Sequence, residues 1–338
     1  MNLTELRALV AVGGVVDVPA GIHVLELNSM AGLNLSNVTL RGVPGATRLV
    51  FVAPNADYRE MFAVGTAVTL ENLVVERGAA FDAIGLRINP STGVTVKGCQ
   101  FIGGRTATQP GYAHWVQAGH NAGPTLNVRV ERSTVSGWDF GWFQTNATTG
   151  TVDGVTFDDC TFVGNRATDL EVNAPTGITR NVTVNNCRFH STGGWGVGLA
   201  RVATASITGC TFAARTPEAV HIEDGSTDVT VQHCSFATTG AHAVHVLSGS
   251  QRVKVLDNSF DMSASSVGAS SVLALHAMGA TPSGLPAGSP VVDLTLERNT
   301  QTGARHGVKA YNVDGLRMVG NVGMDRVVIH NGSRVHIE

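Results

Sequence analysis

A chain of 338 residues, 43% of them hydrophobic, is long enough for one large domain or two ordinary ones and can bury a substantial core. Its 23 Lys plus Arg against 26 Asp plus Glu leave a formal charge of -3, so no basic surface draws it to a phosphate backbone, and nucleic-acid binding is not expected. The opening stretch MNLTELRALVAVGG lacks a cationic start and breaks at Gly13-Gly14 before any apolar run reaches signal or membrane length, so neither an export signal nor a membrane anchor is expected.

Within that stretch Leu3, Leu6, Leu9 and Val10 fall on one side of a helical projection, which predicts a short helix over residues 1–12. Beyond it the chain repeats itself. The clearest copies are VTVKGCQF from Val94, VTFDDCTF from Val155, VTVNNCRF from Val182, ASITGCTF from Ala205 and VTVQHCSF from Val229. Weaker copies begin at Val38, Val68, Val128, Val253, Leu294 and Leu316, making eleven. A further strand follows at a constant offset: from Phe162 to Leu170, Phe189 to Val197, Phe212 to Val220 and Phe236 to Val244. Apolar residues alternate within both segments, the period of strands with one buried face. The period is too short for a strand-helix-strand unit, and neither the leucine-rich frame nor a four-strand propeller blade is present. The prediction is an all-β, single-stranded parallel β-helix of about eleven coils, one domain spanning 1–338, its open amino-terminal end covered by the helix.

The opening strands GGVVDVPAGIHVLELNSM and VTLRGVPGATRLVF resemble the first coils of the pectate-lyase-like right-handed parallel β-helix superfamily. That superfamily includes polysaccharide lyases, glycosidases, sugar epimerases and phage tailspikes, and the resemblance covers essentially the whole chain. It implies a fold and, more loosely, a polysaccharide ligand. It brings no catalytic residue with it. The aspartate calcium cluster and RxPxxR feature of pectate lyases are missing, as is the NTD, GHG and RIK set of polygalacturonases. No cofactor is therefore expected, calcium being possible but unsupported, and no metal site.

The neighbours His233 and Cys234 invite a metal reading, but the repeat argues otherwise. In VTVQHCSF, Val229 and Val231 point inward, Gln232 and His233 turn a corner, and Cys234 and Phe236 return to the interior. One slot holds Cys99, Cys160, Cys187, Cys210 and Cys234, then Asn258, Asn299 and Asn321, with Ser133 in a less regular coil. Small side chains that stack and satisfy corner backbone groups suit that slot. Parallel Cβ vectors argue against disulfides between coils, and the spacing does not fit a Cys-x-x-Cys zinc site.

Outward residues on successive coils form columns with a step of about 4.8 Å. The strand after the corner is richest, with one column read as Gln144, Glu171, Gly198, His221, His245, Ala274 and Lys309. The next reads Asn146, Asn173, Ala200, Glu223, Leu247, His276 and Tyr311. Gly198 and Ala200 would leave a one-coil cleft between Glu171 and Asn173 on one wall and His221 and Glu223 on the other. A glycosidase needs two carboxyl groups, and Glu171 and Glu223, two coils apart or roughly 10 Å, suit an inverting pair better than a retaining one. A lyase needs a base and a group that stabilises developing charge, roles open to His221 and His245; Lys309 lies three coils off. The bland alternative is a solvated strand face.

All four Trp, at 115, 138, 142 and 195, fall in one stretch. The segments GYAHWVQAGH and SGWDFGWFQTN put Tyr112, His114, Trp115, Trp138, Phe140 and Trp142 on neighbouring coils, as a sugar platform, a subunit contact or packing beneath a loop. Residues 103–124 and 262–290 interrupt the coil rhythm and are expected to be loop insertions. The resulting expectation is a polysaccharide-binding and polysaccharide-cleaving protein, lyase or glycosidase. Glu171, His221, Glu223 and His245 are the candidate catalytic groups. Asn173, Trp115, Trp138, Trp142, Gln144, His276, Lys309 and Tyr311 are the candidate substrate contacts. A virion tail or an extracellular location would follow, with a possible homotrimer. The alternative is a non-catalytic phage tail or structural β-helix acting through oligomer interfaces and receptor binding.

Overall fold

A computed structural model spans residues 1–338. The residues described are all except 56–57, 79–80, 89, 105–112, 119–122, 146–149, 174–176, 192, 214–217, 238–241, 248, 264–272, 279–288, 304–305 and 325, and the side chains of 143, 145, 178, 273–278 and 306 are also left aside. The chain is an all-β parallel solenoid with one helix at its amino terminus. It divides into two compact units, Met1–Asp169 with Pro175–Ile178, and Leu170–Ala174 with Thr179–Glu338. No helix among the described residues is long and apolar enough to cross a membrane.

Three strands make a coil over most of the chain. In the coil of VTVQHCSF they are Thr227–Gln232, Ser235–Ala237 and His242–Leu247. In the first unit the first strands pair in parallel from Gly14–Asp17 through Val38–Arg41, Val68–Glu71, Ser91–Lys97 and Thr125–Glu131 to Thr151–Asp158. The second unit repeats the arrangement from Ile178–Asn185 to Ser333–Ile337. Gly14–Asp17 and Ser333–Ile337 lie outside the eleven sequence copies, so the coil count differs slightly from the one expected while the class stands. Pairing is in register: Ala205 faces Val229 and Ile207 faces Val231, all four buried.

The helix runs from Leu3 to Val12, begun by a capping box in which the Asn2 side chain accepts from the Glu5 amide and Glu5 accepts from the Asn2 amide. Leu3, Leu6 and Val10 are buried, but Leu9 is 44% exposed. At 100° per residue Leu9 lies off the stripe that the other three share.

The corner after each first strand has one backbone solution. The residue before the Cys/Asn slot is left-handed in coil after coil: Asn72, Arg132, Asp159, Asn186, His233, Asp257 and Arg298 all have φ between 44° and 57°, and Gly98, Gly209 and Gly320 take the same place. His233 is therefore a corner residue, aimed away from Cys234. All five cysteines are free and buried. The thiols of Cys99, Cys160, Cys210 and Cys234 lie against carbonyls of the preceding coil, Cys210 against Val184 at 3.5 Å and Cys234 against Ile207 at 3.6 Å. From Asn258 onward an amide replaces the thiol. The Asn258 Nδ2 donates to the Val231 carbonyl at 3.0 Å and the Asn299 Nδ2 to Val255 at 2.8 Å, while Asn299 Oδ1 accepts from the Asn258 backbone N–H at 3.0 Å. Beside this ladder Phe189, Phe212, Phe236 and Phe260 stack with centroids 4.8 Å apart at each step and interplanar angles of 8°, 3° and 11°.

Two expectations follow for stability. Asn299→Ala strips partners from the Asn258 amide and the Val255 carbonyl inside the core, and urea unfolding should register a loss on the order of 2–3 kcal/mol. His114 is wholly buried, and burial lowers its pKa from 6.5 to about 3. Below pH 6.5 the unfolded chain takes up this proton and the folded chain does not, so stability falls with acidification until about pH 3 and is level above 6.5. Comparing urea midpoints at pH 7 and pH 5, His114→Leu should lose about 2 kcal/mol less than wild type over that interval.

Candidate functional site

In the second unit the third strands align Glu171 with Gly198, Gly198 with His221, His221 with His245, His245 with His276, and His276 with Lys309. The sequence reading had placed Ala274 opposite His245 and His276 one column over. The true register brings His276 into the histidine column and Met278 opposite Tyr311. A two-residue slip across the 262–290 segment keeps the same face, so alternation alone could not expose the error.

His221 and His245 are buried at the outward face, and Glu218 joins them. One carboxylate oxygen of Glu218 accepts from Nδ1 of His221, and the other accepts from Nδ1 of His245 at 2.8 Å. On the far side of the His221 ring, Nε2 lies 3.2 Å from Oε2 of Glu223, whose side chain is 17% exposed. The two imidazoles meet edge to face at 5.4 Å. Burial by itself would raise the Glu218 carboxyl, but the hydrogen bonds from His221 and His245 outweigh it and hold Glu218 well below the usual carboxylate range. Burial likewise opposes protonation of His221, and hydrogen bonds to Glu218 and Glu223 overcome it, pushing that imidazole up to about 9.

Trp195 completes the cluster. Its indole stacks on His221 at 4.2 Å and 12°, and it is half-buried. It lies over Gly198, where a Cβ would sit 2.8 Å from the indole Cε3. The gap expected at Gly198 and Ala200 is thus covered by an aromatic ring, and Gly198 is small because the ring needs the space. Glu171 and Asn173 are half-buried on the coil before Gly198. Further along, Lys309 Nζ stands 5.1 Å from the Tyr311 ring centre, and Tyr311 stacks on His330 at 4.8 Å and 12°. His276 is placed by its backbone; its side chain lies outside the described residues, as do Tyr112 and Asn146.

The other aromatic candidates belong to the core of the first unit. Trp115, Trp138 and Trp142 are 0% exposed. Trp115 packs at 5.2 Å from Phe101, Trp142 at 5.3 Å from Phe157, and Trp138 Nε1 donates to the Phe101 carbonyl. They present no face to a sugar, which corrects the platform reading. Residues 113–118 of the expected insertion form a regular, fully buried third strand, so Trp115 is on scaffold rather than on a loop. Gln144 is corrected too. It pairs with Ala118, which pairs with Ile88, a column that faces the core, and Gln144 is 0% exposed.

Neither Glu218 nor His242 is singled out by the sequence, and Trp195 is marked there only as one of the four clustered tryptophans. By alternation Glu218 belongs with inward Val220 and Ile222, and only its position at the strand's start lets its carboxylate swing to the outward histidines. His242, the register partner of Glu218, has its ring 4.8 Å from that of His245. The His-x-x-His spacing in HAVH was the available signal. Donor atoms of Glu218, His242 and His245 all lie within 4.8 Å of one another, a set whose chemistry suits a metal ion.

The right-handed β-helix region model matches residues 84–260, more than half of the chain. A search of curated proteins returns no match. Among solved structures, the A-module of the Azotobacter vinelandii mannuronan C-5 epimerase AlgE4 is similar at a TM-score of 0.68 and 16% identity, covering 99% of this chain and 94% of that one. A tailspike protein of E. coli bacteriophage HK620 is similar at 0.62 and 16%, with 95% of this chain and 63% of that one covered. The catalytic unit of a GH87 α-1,3-glucanase from Streptomyces thermodiastaticus is similar at 0.50 and 14%, with 96% and 66% covered. At such identities the likeness speaks for fold. With the family model and the stacked coils in agreement, the chain belongs to the right-handed β-helix family.

Proposed function

We propose that the third-strand face of the second unit binds an extended polysaccharide and that the cluster around His221 cleaves it. The observation that carries this reading is Glu218 holding two imidazoles at an outward face, next to a solvent-reached carboxylate and a half-buried indole. Support for the ligand class comes from what similar folds act on: the epimerase is named for mannuronan, the glucanase for α-1,3-glucan, and an HK620 tailspike mutant was solved with a pentasaccharide.

The chemistry follows from the parts. Cleaving a glycosidic linkage, by water or by elimination, needs one group to give a proton to the departing oxygen and another to take one. His221, fixed through Nδ1 by Glu218, directs Nε2 toward Glu223, so donor and acceptor sit side by side. His221 is the proposed acid and Glu223 the proposed base, with His245 held alongside by the same carboxylate. The exposed part of Trp195 supplies an apolar surface for a pyranose ring, and Glu171 and Asn173 line the coil before it. Lys309 and Tyr311 extend the face toward the carboxyl-terminal coils, where a cation suits an acidic sugar.

Incubation with a panel of neutral and acidic glycans, following reducing ends and the ultraviolet absorbance of unsaturated ends separately, tests the proposal. Product should form in one channel. Glu223→Gln should cut turnover by roughly a hundredfold or more while leaving affinity near wild type. Trp195→Ala should weaken glycan affinity by about tenfold, or 1.4 kcal/mol, with the melting temperature reported for each variant. Binding without product in either channel would overturn the cleavage and leave a recognition protein; absence of binding to every glycan would overturn both.

A further inference from the structure

We propose that Glu218, His242 and His245 form a binding site for a first-row divalent transition ion of the zinc class. The site shares two residues with the glycan-cleaving cluster but does not require that the chain bind or cleave a glycan.

Geometry comes first. The candidate donor atoms of the three residues fall within 4.8 Å of one another. Bonds of about 2.0–2.2 Å place donors around one ion some 3–4 Å apart, so shifts of about an ångström, within reach of side-chain rotation, close the set. The coil stacking makes this possible. Glu218 and His242 are register partners on adjacent coils, and His245 follows His242 on the same strand. Glu218 Oε1 already lies 2.8 Å from His245 Nδ1, so an ion would replace the proton these two atoms share.

The surroundings add preorganisation. The second oxygen of Glu218 is held by His221, and His221 is held by the flat contact with Trp195. A carboxylate fixed from behind in this way is what lets an outer group orient a metal ligand. Glu218 and His245 are buried while His242 is half-buried. An ion there would be enclosed on one side and open on the other, leaving a coordination position for water or another oxygen ligand.

The donor types select the ion. Two imidazoles and one carboxylate favour zinc, cobalt or nickel, whereas calcium and magnesium need an all-oxygen shell that this cluster does not offer.

Titration of the full chain, stripped with a chelator, with zinc chloride by calorimetry and with cobalt chloride by visible spectroscopy tests the site. One ion per chain should bind with micromolar affinity or better, and cobalt should develop the intense visible bands of a four- or five-coordinate imidazole site. His242→Ala and His245→Ala should each weaken binding roughly a hundredfold, and Glu218→Gln at least about tenfold. His336→Ala, at an exposed histidine paired with Glu338, should change nothing. No saturable zinc binding below millimolar concentration, an octahedral aquo-like cobalt spectrum, or unchanged affinity in both folded histidine variants would each overturn the proposal. A variant that fails to fold does not shield it, because the wild-type cobalt spectrum decides by itself. Glycan affinity of the stripped protein, measured separately, reports on the polysaccharide proposal alone.

Discussion

Parallel backbone hydrogen bonding between coils, at about 4.8 Å per step, is the constraint on which the rest of this protein depends. It forces the same position of successive coils into one column, so each inward choice is made many times over. Four phenylalanines answer with flat stacks at that spacing, and truncating Phe212 or Phe236 would remove ring contacts on both sides. The corner slot answers with a hydrogen-bond ladder, since buried backbone groups at every turn need partners. Thiols suffice in some coils and amides serve in others, because both are small and both reach the carbonyl of the coil before. The left-handed residue ahead of the slot aims the slot inward, which is why His233 and Cys234 part company.

The same stacking acts on the outward faces with a different energetic result. Arg252 with Asp228, at the start of the first strands, and Arg298 with Asp257, at the corner after them, form two-point ion pairs between coils. These are exposed, and water and salt screen each so strongly that it contributes little to stability. The third-strand cluster is another matter. Glu218, His221 and His245 are buried, so leaving any of them unpaired would cost far more than a surface pair provides. Glu218 resolves this by serving both histidines at once. A group of charges held so tightly at the edge of a face, with Glu223 and Trp195 reaching solvent beside it, concentrates acid, base and aromatic surface within a few coils.

Much of this was legible in the strings VTVQHCSF and its relatives. Alternation identified the buried faces, the Cys/Asn slot identified the corner, and the constant offset to the next strand put His221 beside His245. The readings that failed did so where register mattered and the repeat was faint. In SGWDFGWFQTN a displacement of one residue reverses every side chain, and it turned Gln144 and Trp142 from face to core. Ideal alternation also puts Glu218 among the interior residues of its strand, whereas a residue at the start of a strand can swing its carboxylate across to the outward histidines. Trp195 was counted with three tryptophans that are core residues, and only the glycine beneath it hinted at its separate position.

Composition and periodicity by themselves determined that this chain is a parallel β-helix, which residues point inward, and that its cysteines are structural, because those properties repeat in every coil and any one copy reports on all. Beyond the neighbours His221 and His245, the tertiary structure alone decided which outward residues meet. A carboxylate from a strand's beginning, histidines from two coils and an indole from a third converge through side-chain reach and local register, which differ from coil to coil and leave no period to read.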